Sequence, residues 1–245
     1  MKISAVIIAF NEEENIGACI DSLNEVADEI IVVDSFSSDN TEKICAEKKV
    51  KFIKHKFEGY IQQKNFALNQ AENNYVLSLD ADERLSNELK KEILKKKENL
   101  LFDAYLINRL NNFCGKWIKH GAWYPDKKIR LWNKRKGIWG GTNPHDKVIM
   151  DDNTTLEVLG GNILHYTVRT REQYQKQMEK FSDIAAQSMK LEGKKSSLLK
   201  AYSSGVFAFV RSYIFRLGFL DGVEGYEIAI GYSGYTRMKY LKMLK

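Results

Sequence analysis

Three short polar segments each follow a run of apolar residues, and their side chains are of the types that hold a metal or a nucleotide. They lie at residues 10–12, 34–39 and 80–83, and the third contains Asp80 and Asp82. With one residue between them, these two carboxylates point to the same side of an extended segment. Bare carboxylates repel phosphate, so a nucleotide bound beside them needs a divalent cation in between. Oxygen ligands favour Mg²⁺ or Mn²⁺, and this DxD motif predicts such a metal site.

Each segment also has a purely structural interpretation. Asn11 and Glu12 can cap the helix that follows them, and so can Ser38 or Asp39. Residues 80–83 can form a plain turn after a strand. The coincidence of all three segments at one edge of a predicted sheet favours a functional site.

The elements that must position these segments alternate between strand and helix patterns in the first hundred residues. Apolar runs predict buried strands at residues 3–9, 29–34, 51–55 and 75–79, and helical spacing predicts helices at residues 12–23, 41–49, 60–72 and 86–100. This rhythm with short connections predicts an α/β fold with a doubly wound, mostly parallel sheet. In such a sheet ligands bind outside the carboxyl ends of the strands, where the polar segments lie.

The pattern changes after about residue 102, where the strand signals are separated by longer loops. Mixed or antiparallel strands are predicted at residues 104–108, 128–132 and 162–166, and a helix at residues 171–192. The sequence therefore predicts a domain over residues 1–168 that carries the site. A helical region is predicted over residues 169–245.

The composition fits a globular protein of a reducing compartment. The chain has 245 residues, of which 44% are hydrophobic and 29% charged, which excludes a disordered or fibrous protein. Its three cysteines are widely spaced, so neither a disulfide framework nor a Cys-rich zinc site is indicated. The first apolar run is interrupted at once by Asn11 and acidic residues, unlike a secretory signal. We expect a cytoplasmic protein.

The charge excess of the chain lies in its last quarter. Residues 190–245 contain ten basic and four acidic residues, which accounts for the whole net charge of +6. Within them, residues 201–220 are apolar and aromatic but carry Arg211 and Arg216, which is too interrupted for a membrane span. The pattern predicts peripheral contact with an anionic membrane surface. The alternative is a solvated helix face that only packs on the core.

Four segments of the first hundred residues resemble family-two glycosyltransferases, the inverting, nucleotide-sugar-dependent class with the GT-A fold. They are VIIAFNEEENI (residues 6–16), VVDSFSSDNT (32–41), QKNFAL (63–68) and LDADE (79–83). Downstream, YPDKKIRLW (124–132), NPHDKV (143–148) and GFLDGVEG (218–225) resemble the lipopolysaccharide core β-1,4-glucosyltransferase subgroup. The resemblance implies transfer of a hexose, with glucose favoured, from a UDP-sugar to a lipopolysaccharide-core or other lipid-linked acceptor. Together with the basic, aromatic C-terminal region, it predicts an enzyme that acts at the inner face of the cytoplasmic membrane.

The resemblance also implies roles for individual residues. Donor-binding roles fall on Phe10, Asn11 and Glu12 (uracil), Asp34 (base), Lys64 and Asn65 (nucleotide end of the pocket) and Asp80 (ribose or metal hydration shell). Asp82 would ligate Mg²⁺ or Mn²⁺, with Asp80 and His145 as further candidates. The family often has Arg at the position of Lys64, and the QxxRW motif of processive synthases is absent.

Inverting transfer needs a base for the acceptor hydroxyl. Asp146 is the favoured base, with Glu83 as the competing candidate, and His145 can either ligate metal or orient Asp146. Gly140 and Gly141 precede this segment and predict a mobile loop that closes on the donor.

Other side chains remain open to two interpretations. Lys128 and Arg130 can meet phosphate or be ordinary exposed cations, and Trp123 and Tyr124 can contact the acceptor or pack. The histidines His55, His120 and His165 show no ligand spacing and are interpreted as structural.

Two other functional classes compete with glycosyl transfer. A nucleotidylyltransferase normally has a Gly-rich basic loop after its first strand, and neither GxGxxG nor GxxxxGK[ST] occurs here. Residues 12–14 are instead acidic and would repel a triphosphate. A non-catalytic glycan- or lipid-binding protein is disfavoured by the intact Asp80, Asp82 and Asp146. Nucleic acid is not expected as a partner, because the basic residues are not interleaved as a stacking groove requires.

Overall fold

The computed structural model describes residues 1–142 and 145–244, apart from the side chains of Thr142 and His145. Its contacts divide the chain into two compact units. The first comprises Met1–Arg109 and Asp126–His165, and the second Leu110–Pro125 and Tyr166–Lys245. The predicted domain boundary after residue 168 stays a prediction.

Four parallel strands form one side of the main sheet, in the order β3-β2-β1-β4. They are β1 (Ile3–Ala9), β2 (Glu29–Asp34), β3 (Lys51–Lys54) and β4 (Tyr75–Asp80), and the intervening helices are α1 (Ile16–Leu23), α2 (Thr41–Glu47) and α3 (Tyr60–Gln70). Strands β1 and β2 are almost completely buried, as expected for strands covered on both faces. The α/β fold class is confirmed.

The register of these strands brings the predicted polar segments together. Ala9 of β1 lies opposite Asp34 of β2, and Ile8 lies opposite Asp80 of β4. The three strands therefore end at the same edge of the sheet, as the sequence predicts.

The remaining strands are antiparallel and extend the sheet beyond β4 in the order β8-β6-β11-β5. They are β5 (Glu83–Leu85), β6 (Ala104–Phe113), β8 (Lys127–Asn133) and β11 (Leu156–Val168), with β7 (Lys116–Trp117) beside the end of β6 and α4 (Asn87–Lys97) following β5. Strand β5 is too short to show a pattern in the sequence. The sequence likewise predicts only the middle of β11.

A separate antiparallel pair stands where a mobile loop was predicted. It consists of β9 (Gly137–Thr142) and β10 (His145–Met150), with Gly140 opposite Lys147 and Gly141 opposite Asp146. The prediction of a loop at Gly140 and Gly141 is therefore wrong. The glycines permit close pairing here, because a Cβ on Gly140 would lie 2.5 Å from Cδ1 of Ile149.

The second unit is mainly helical, with α5 (Arg171–Leu191), α6 (Leu198–Val210) and α7 (Gly222–Lys242). Asp221 accepts hydrogen bonds from the backbone N–H groups of Lys119 and His120 and lies 3.1 Å from the His120 ring. This buried carboxylate ties the segment Leu110–Pro125 to the start of α7, so His120 is structural as predicted. None of the described helices is long and apolar enough to cross a membrane.

Candidate functional site

A cavity of about 780 Å³ lies at the edge of the first unit where β1, β2 and β4 end. Four aromatic side chains line it, and each is about half exposed: Phe10, Phe36, Phe57 and Tyr60. Exposed aromatic rings offer stacking surfaces for a planar base. Phe10, a residue that the sequence singles out, thus lines this cavity together with three aromatic residues that the sequence analysis did not identify.

Asn11 fastens the loop after β1 to the loop after β2. Its backbone N–H donates to Ser37 Oγ at 2.8 Å, and its own Oδ1 accepts from the N–H of Ser38 at 2.8 Å. Asn11 adopts φ 53°, a left-handed conformation that asparagine tolerates better than most residues. Glu12 lines the cavity, and its N–H donates to Thr41 Oγ1.

Asp34 lies beneath this loop and is fully buried. One of its carboxylate oxygens accepts from the N–H of Ser37 at 2.8 Å, and the other accepts from the Ser37 hydroxyl. The neighbouring Ser35 and Phe36 line the cavity instead. Asp34 therefore shapes the loop, and its predicted hydrogen bond to the base would have to displace Ser37.

The floor of the cavity carries a pair of possible metal ligands. Asp82 Oδ2 lies 3.3 Å from His165 Nε2, and both side chains line the cavity and are partly exposed. A carboxylate oxygen and an imidazole nitrogen at this separation fit a divalent cation as two of its ligands. The interpretation of His165 as purely structural is therefore incomplete, because the fold brings it to Asp82 from 83 positions away in the chain.

The other two metal candidates differ from Asp82. Asp80 pairs with two cations, Lys64 Nζ at 3.0 Å and an Arg130 nitrogen at 3.1 Å, which compete with a metal for its carboxylate. The side chain of His145 lies outside the described residues. Among the described side chains, no group of three or more His, Cys, Asp or Glu is arranged to hold a metal.

A second cavity, of about 520 Å³, meets the first at Asp80, which lines both. Lys64 lies between the two carboxylates of Asp80 and Asp146, 2.8 Å from the latter, and it is only 5% exposed. Trp139 covers this ammonium, with its ring centre 4.5 Å from Nζ. Lys64 therefore lines the second cavity, and its predicted role at the nucleotide end of the donor pocket stays a prediction.

The two cations beside Asp80 determine its ionisation. Burial opposes the charged carboxylate, but the attraction of Lys64 and Arg130 outweighs it and holds the pKa of Asp80 well below its usual range. Burial also opposes the charged form of Arg130 and tends to lower its pKa. The attraction of Glu83 and Asp80 is larger, so the pKa of Arg130 lies above its usual range. Asp80 and Arg130 therefore both stay charged at physiological pH.

Glu83 is an unfavourable candidate for the base. Its side chain is completely buried, and Oε1 accepts from Arg130 at 2.9 Å while Oε2 accepts from the N–H of Asp80 at 3.0 Å. An acceptor hydroxyl has no access to this carboxylate. Asp146, which lines the second cavity, is accessible.

Three further predicted residues have definite places in the structure. The side-chain amide of Asn65 donates to the carbonyl of Trp139 at 2.9 Å and accepts from the N–H of Trp139 at 3.0 Å, so Asn65 positions β9. Its predicted contact with the nucleotide stays a prediction. Arg130 is 4% exposed and is not an ordinary surface cation. Trp123 packs edge-on against Phe113 in the second unit, which supports the packing interpretation.

Residues 4–154 match the sequence profile of glycosyl transferase family 2. The chain belongs to this family. Membership agrees with the GT-A arrangement that the resemblance implies and with the order of the parallel strands. It also decides against the nucleotidylyltransferase and the non-catalytic binding protein as general classes.

Two relatives illustrate how far this family 2 protein resembles known sequences. An uncharacterized glycosyltransferase of Rickettsia typhi is 31% identical over 99% of this chain and 87% of its own length. The lipopolysaccharide core biosynthesis glycosyltransferase LpsC of Rhizobium meliloti is 27% identical over 99% of this chain and 92% of its own.

Solved structures show weaker likenesses. TarS 1–349 of S. aureus is 17% identical, covers 77% of this chain and 66% of its own, and gives a TM-score of 0.45. Glucosyl-3-phosphoglycerate synthase of Mycobacterium tuberculosis, solved with Mn²⁺ and UDP, is 25% identical over 45% of this chain and 44% of its own, with a TM-score of 0.37.

Proposed function

We propose that this family 2 protein is an inverting glycosyltransferase that moves a hexose, with glucose favoured, from a UDP-sugar to a lipopolysaccharide-core or other lipid-linked glycan. One observation carries the proposal. An aromatic cavity that ends at Asp82 and His165 meets, at Asp80, a second cavity that contains the accessible carboxylate of Asp146. The similarity to LpsC supports the class of acceptor.

The first cavity takes the nucleotide of the donor. Its aromatic side chains stack against the uracil, and Asp82 with His165 would hold the Mg²⁺ or Mn²⁺ that a bound diphosphate needs. When bound, the cation neutralises charge on the leaving UDP. Asp80, fixed by Lys64 and Arg130, contacts the ribose at the junction of the two cavities.

The second cavity takes the reacting hydroxyl of the acceptor. Asp146 accepts the proton of this hydroxyl while the hydroxyl oxygen forms a bond to the anomeric carbon of the donor sugar. The bond from that carbon to the UDP oxygen breaks on the opposite face, so the configuration inverts. Lys64 donates a hydrogen bond to Asp146 at 2.8 Å and so holds the carboxylate in place.

The change Asp146→Asn tests this assignment. The amide keeps the shape of the side chain but accepts no proton, so we expect transfer of labelled glucose from UDP-glucose to lipopolysaccharide core to fall by about 10²–10⁴-fold. The affinity for UDP should stay unchanged. Asp152→Asn is the matched control, because Asp152 is exposed and does not line either cavity. Transfer at the wild-type rate in Asp146→Asn would contradict the assignment of the base.

We further propose that the second unit binds the inner face of the cytoplasmic membrane. Several large apolar residues in and around α6 and α7 are each at least half exposed. They are Leu198, Leu199, Tyr202, Val206, Phe207, Ile214, Phe215, Leu220 and Val223. Arg211 and Arg216 lie among them, and neither guanidinium has an ion-pair partner in the described part of the chain. Apolar side chains with interspersed cations suit an anionic lipid surface.

Vesicle sedimentation tests the membrane proposal. We expect binding to phosphatidylcholine vesicles that contain 30% phosphatidylglycerol, and about 30-fold weaker binding for the double change Arg211→Gln and Arg216→Gln. The control carries Lys91→Gln and Lys95→Gln, two exposed lysines of α4 in the first unit. Equal binding to vesicles with and without phosphatidylglycerol would contradict the proposal. So would concentration-dependent dimerisation without vesicle binding.

A further inference from the structure

The second cavity is lined by an unusual number of cations. Six of its lining residues are basic and two are acidic: Lys64, Arg109, Lys127, Lys128, Arg130 and Lys147 against Asp80 and Asp146. Its volume of about 520 Å³ is sufficient for a sugar unit with a substituent.

Four of the six cations belong to one continuous chain of ion pairs. Its members alternate in sign and run Asp146, Lys64, Asp80, Arg130, Glu83, Arg109, Asp126, Lys128. Each consecutive pair lies between 2.8 and 3.5 Å apart. Four carboxylates and four cations cancel, so this chain contributes no net charge.

The other two cations of the cavity, Lys127 and Lys147, are not part of this chain of ion pairs. Lys127 begins β8 and Lys147 lies on β10, two strands that approach each other beside the cavity. Both ammonium groups are exposed and have no carboxylate within ion-pairing distance among the described residues. The cavity wall therefore carries two uncompensated positive charges next to the accessible carboxylate of Asp146.

The donor does not account for these two charges. The proposed place of its diphosphate is beside Asp82 and His165, which line the first cavity and not the second. A neutral acceptor would gain nothing from the positive charge of two exposed ammonium groups. A phosphate monoester carries about −1.5 to −2 charges at pH 7 and would match them.

We infer that the second cavity recognises an anionic group, a phosphate or a carboxylate, on the acceptor sugar through Lys127 and Lys147. The inference rests on the proposed function, because it takes the second cavity as the acceptor site. The anion is bound by the two lysines on the wall, which leaves the sugar hydroxyl free to approach Asp146. Acceptors that lack the anionic group are bound more weakly, so the two lysines select the acceptor.

Calorimetry with three small probes tests the inference. Glucose 6-phosphate, glucuronate and glucose are titrated into the protein in the presence of saturating UDP and Mn²⁺, after the affinity for UDP has been measured. We expect the anionic probes to bind at least tenfold more tightly than glucose, and the stronger of the two identifies the anion. In the double variant Lys127→Gln and Lys147→Gln this preference should disappear, since each charged hydrogen bond contributes about tenfold in affinity.

The variant with Lys91→Gln and Lys95→Gln is the control and should keep the preference. Equal binding of the charged and neutral probes to the wild-type protein would overturn the inference. A loss of UDP affinity in the Lys127 and Lys147 variant would also overturn it, because the lysines would then serve the donor. Failure of UDP to bind the wild-type protein, together with lysine-dependent binding of an anionic probe, would instead contradict the proposed function and support the anion site.

Discussion

At the scale of single residues, Asp80 connects the two halves of the site. It ends β4, lines both cavities and contacts Lys64 and Arg130. Two cations on one carboxylate compete with a metal for it, and they fix its position at the junction. Asp82, two residues later, has no lysine or arginine partner among the described residues and lies beside His165.

The depressed pKa of Asp80 predicts how stability depends on pH. Its folded-state pKa lies below the ordinary value of 3.8, so its contribution is complete above about pH 5 and is lost as pH falls towards the folded-state value. We expect Asp80→Asn to lower the free energy of unfolding by about 2 kcal/mol at pH 7, since two charged hydrogen bonds are lost. The difference from the wild type should shrink below about pH 4.

Urea denaturation between pH 3 and pH 7 measures this difference. Asp152→Asn, which changes an exposed carboxylate, should follow the wild type throughout. A difference between wild type and Asp80→Asn that stays constant down to pH 3 would contradict the account of the Asp80 ion pairs.

Some residues of the site could be predicted from the sequence, but their partners in the folded chain could not. Asp80, Asp82 and Asp146 could be singled out because carboxylates follow recognisable motifs. The role of Lys64 as a bridge between two of them could not, since a lysine in a helix has no pattern that specifies its partner. His165 was missed for the same reason, because only the pairing of β11 with β5 brings it near Asp82.

At the scale of elements, the parallel strands were predictable and the antiparallel ones only in part. Mainly apolar runs, each followed by a polar segment, define β1, β2 and β4 in the sequence. Strands β9 and β10 have neither a continuous apolar run nor strict alternation, and their pairing depends on glycines. The hairpin they form carries Trp139 and Asp146 to Lys64, so the site depends on the element that the sequence predicted least well.

Strand β11 packs closely on the start of α4 through a glycine. Gly161 has φ +83°, and a Cβ there would lie 2.7 Å from Cα of Leu89. Backbone atoms cannot move aside, so we expect Gly161→Ala to lower the free energy of unfolding by about 3 kcal/mol or more. Thermal or urea denaturation measures the change.

The adjacent glycine of the same strand gives a matched control. A Cβ on Gly160 would meet no atom within 4 Å, and its φ is not positive. Gly160→Ala should therefore change the free energy of unfolding by no more than about 0.5 kcal/mol. Equal effects of the two substitutions would show that β11 and α4 do not pack as described.

At the scale of the whole molecule, the family and the α/β fold follow from the first hundred residues, but the grouping of segments does not. Leu110–Pro125 belongs with the C-terminal helices through contacts such as those of Asp221 with His120, between residues about a hundred positions apart. A contact between residues so far apart in the chain cannot be predicted from a local sequence pattern. The basic, aromatic composition of the C-terminal region is visible in the sequence, and the structure adds that much of its apolar surface is exposed.

The proposed function requires that the first cavity binds a uridine nucleotide together with a metal at Asp82 and His165. Calorimetric titration of UDP with and without Mn²⁺ tests it most directly, on the wild type, on Asp82→Ala and on the exposed control Asp152→Ala. We expect Mn²⁺ to strengthen UDP binding in the wild type and in the control, and Asp82→Ala to abolish this effect without loss of fold. Binding of UDP that is equally strong without metal, or unaffected by Asp82→Ala, would contradict it.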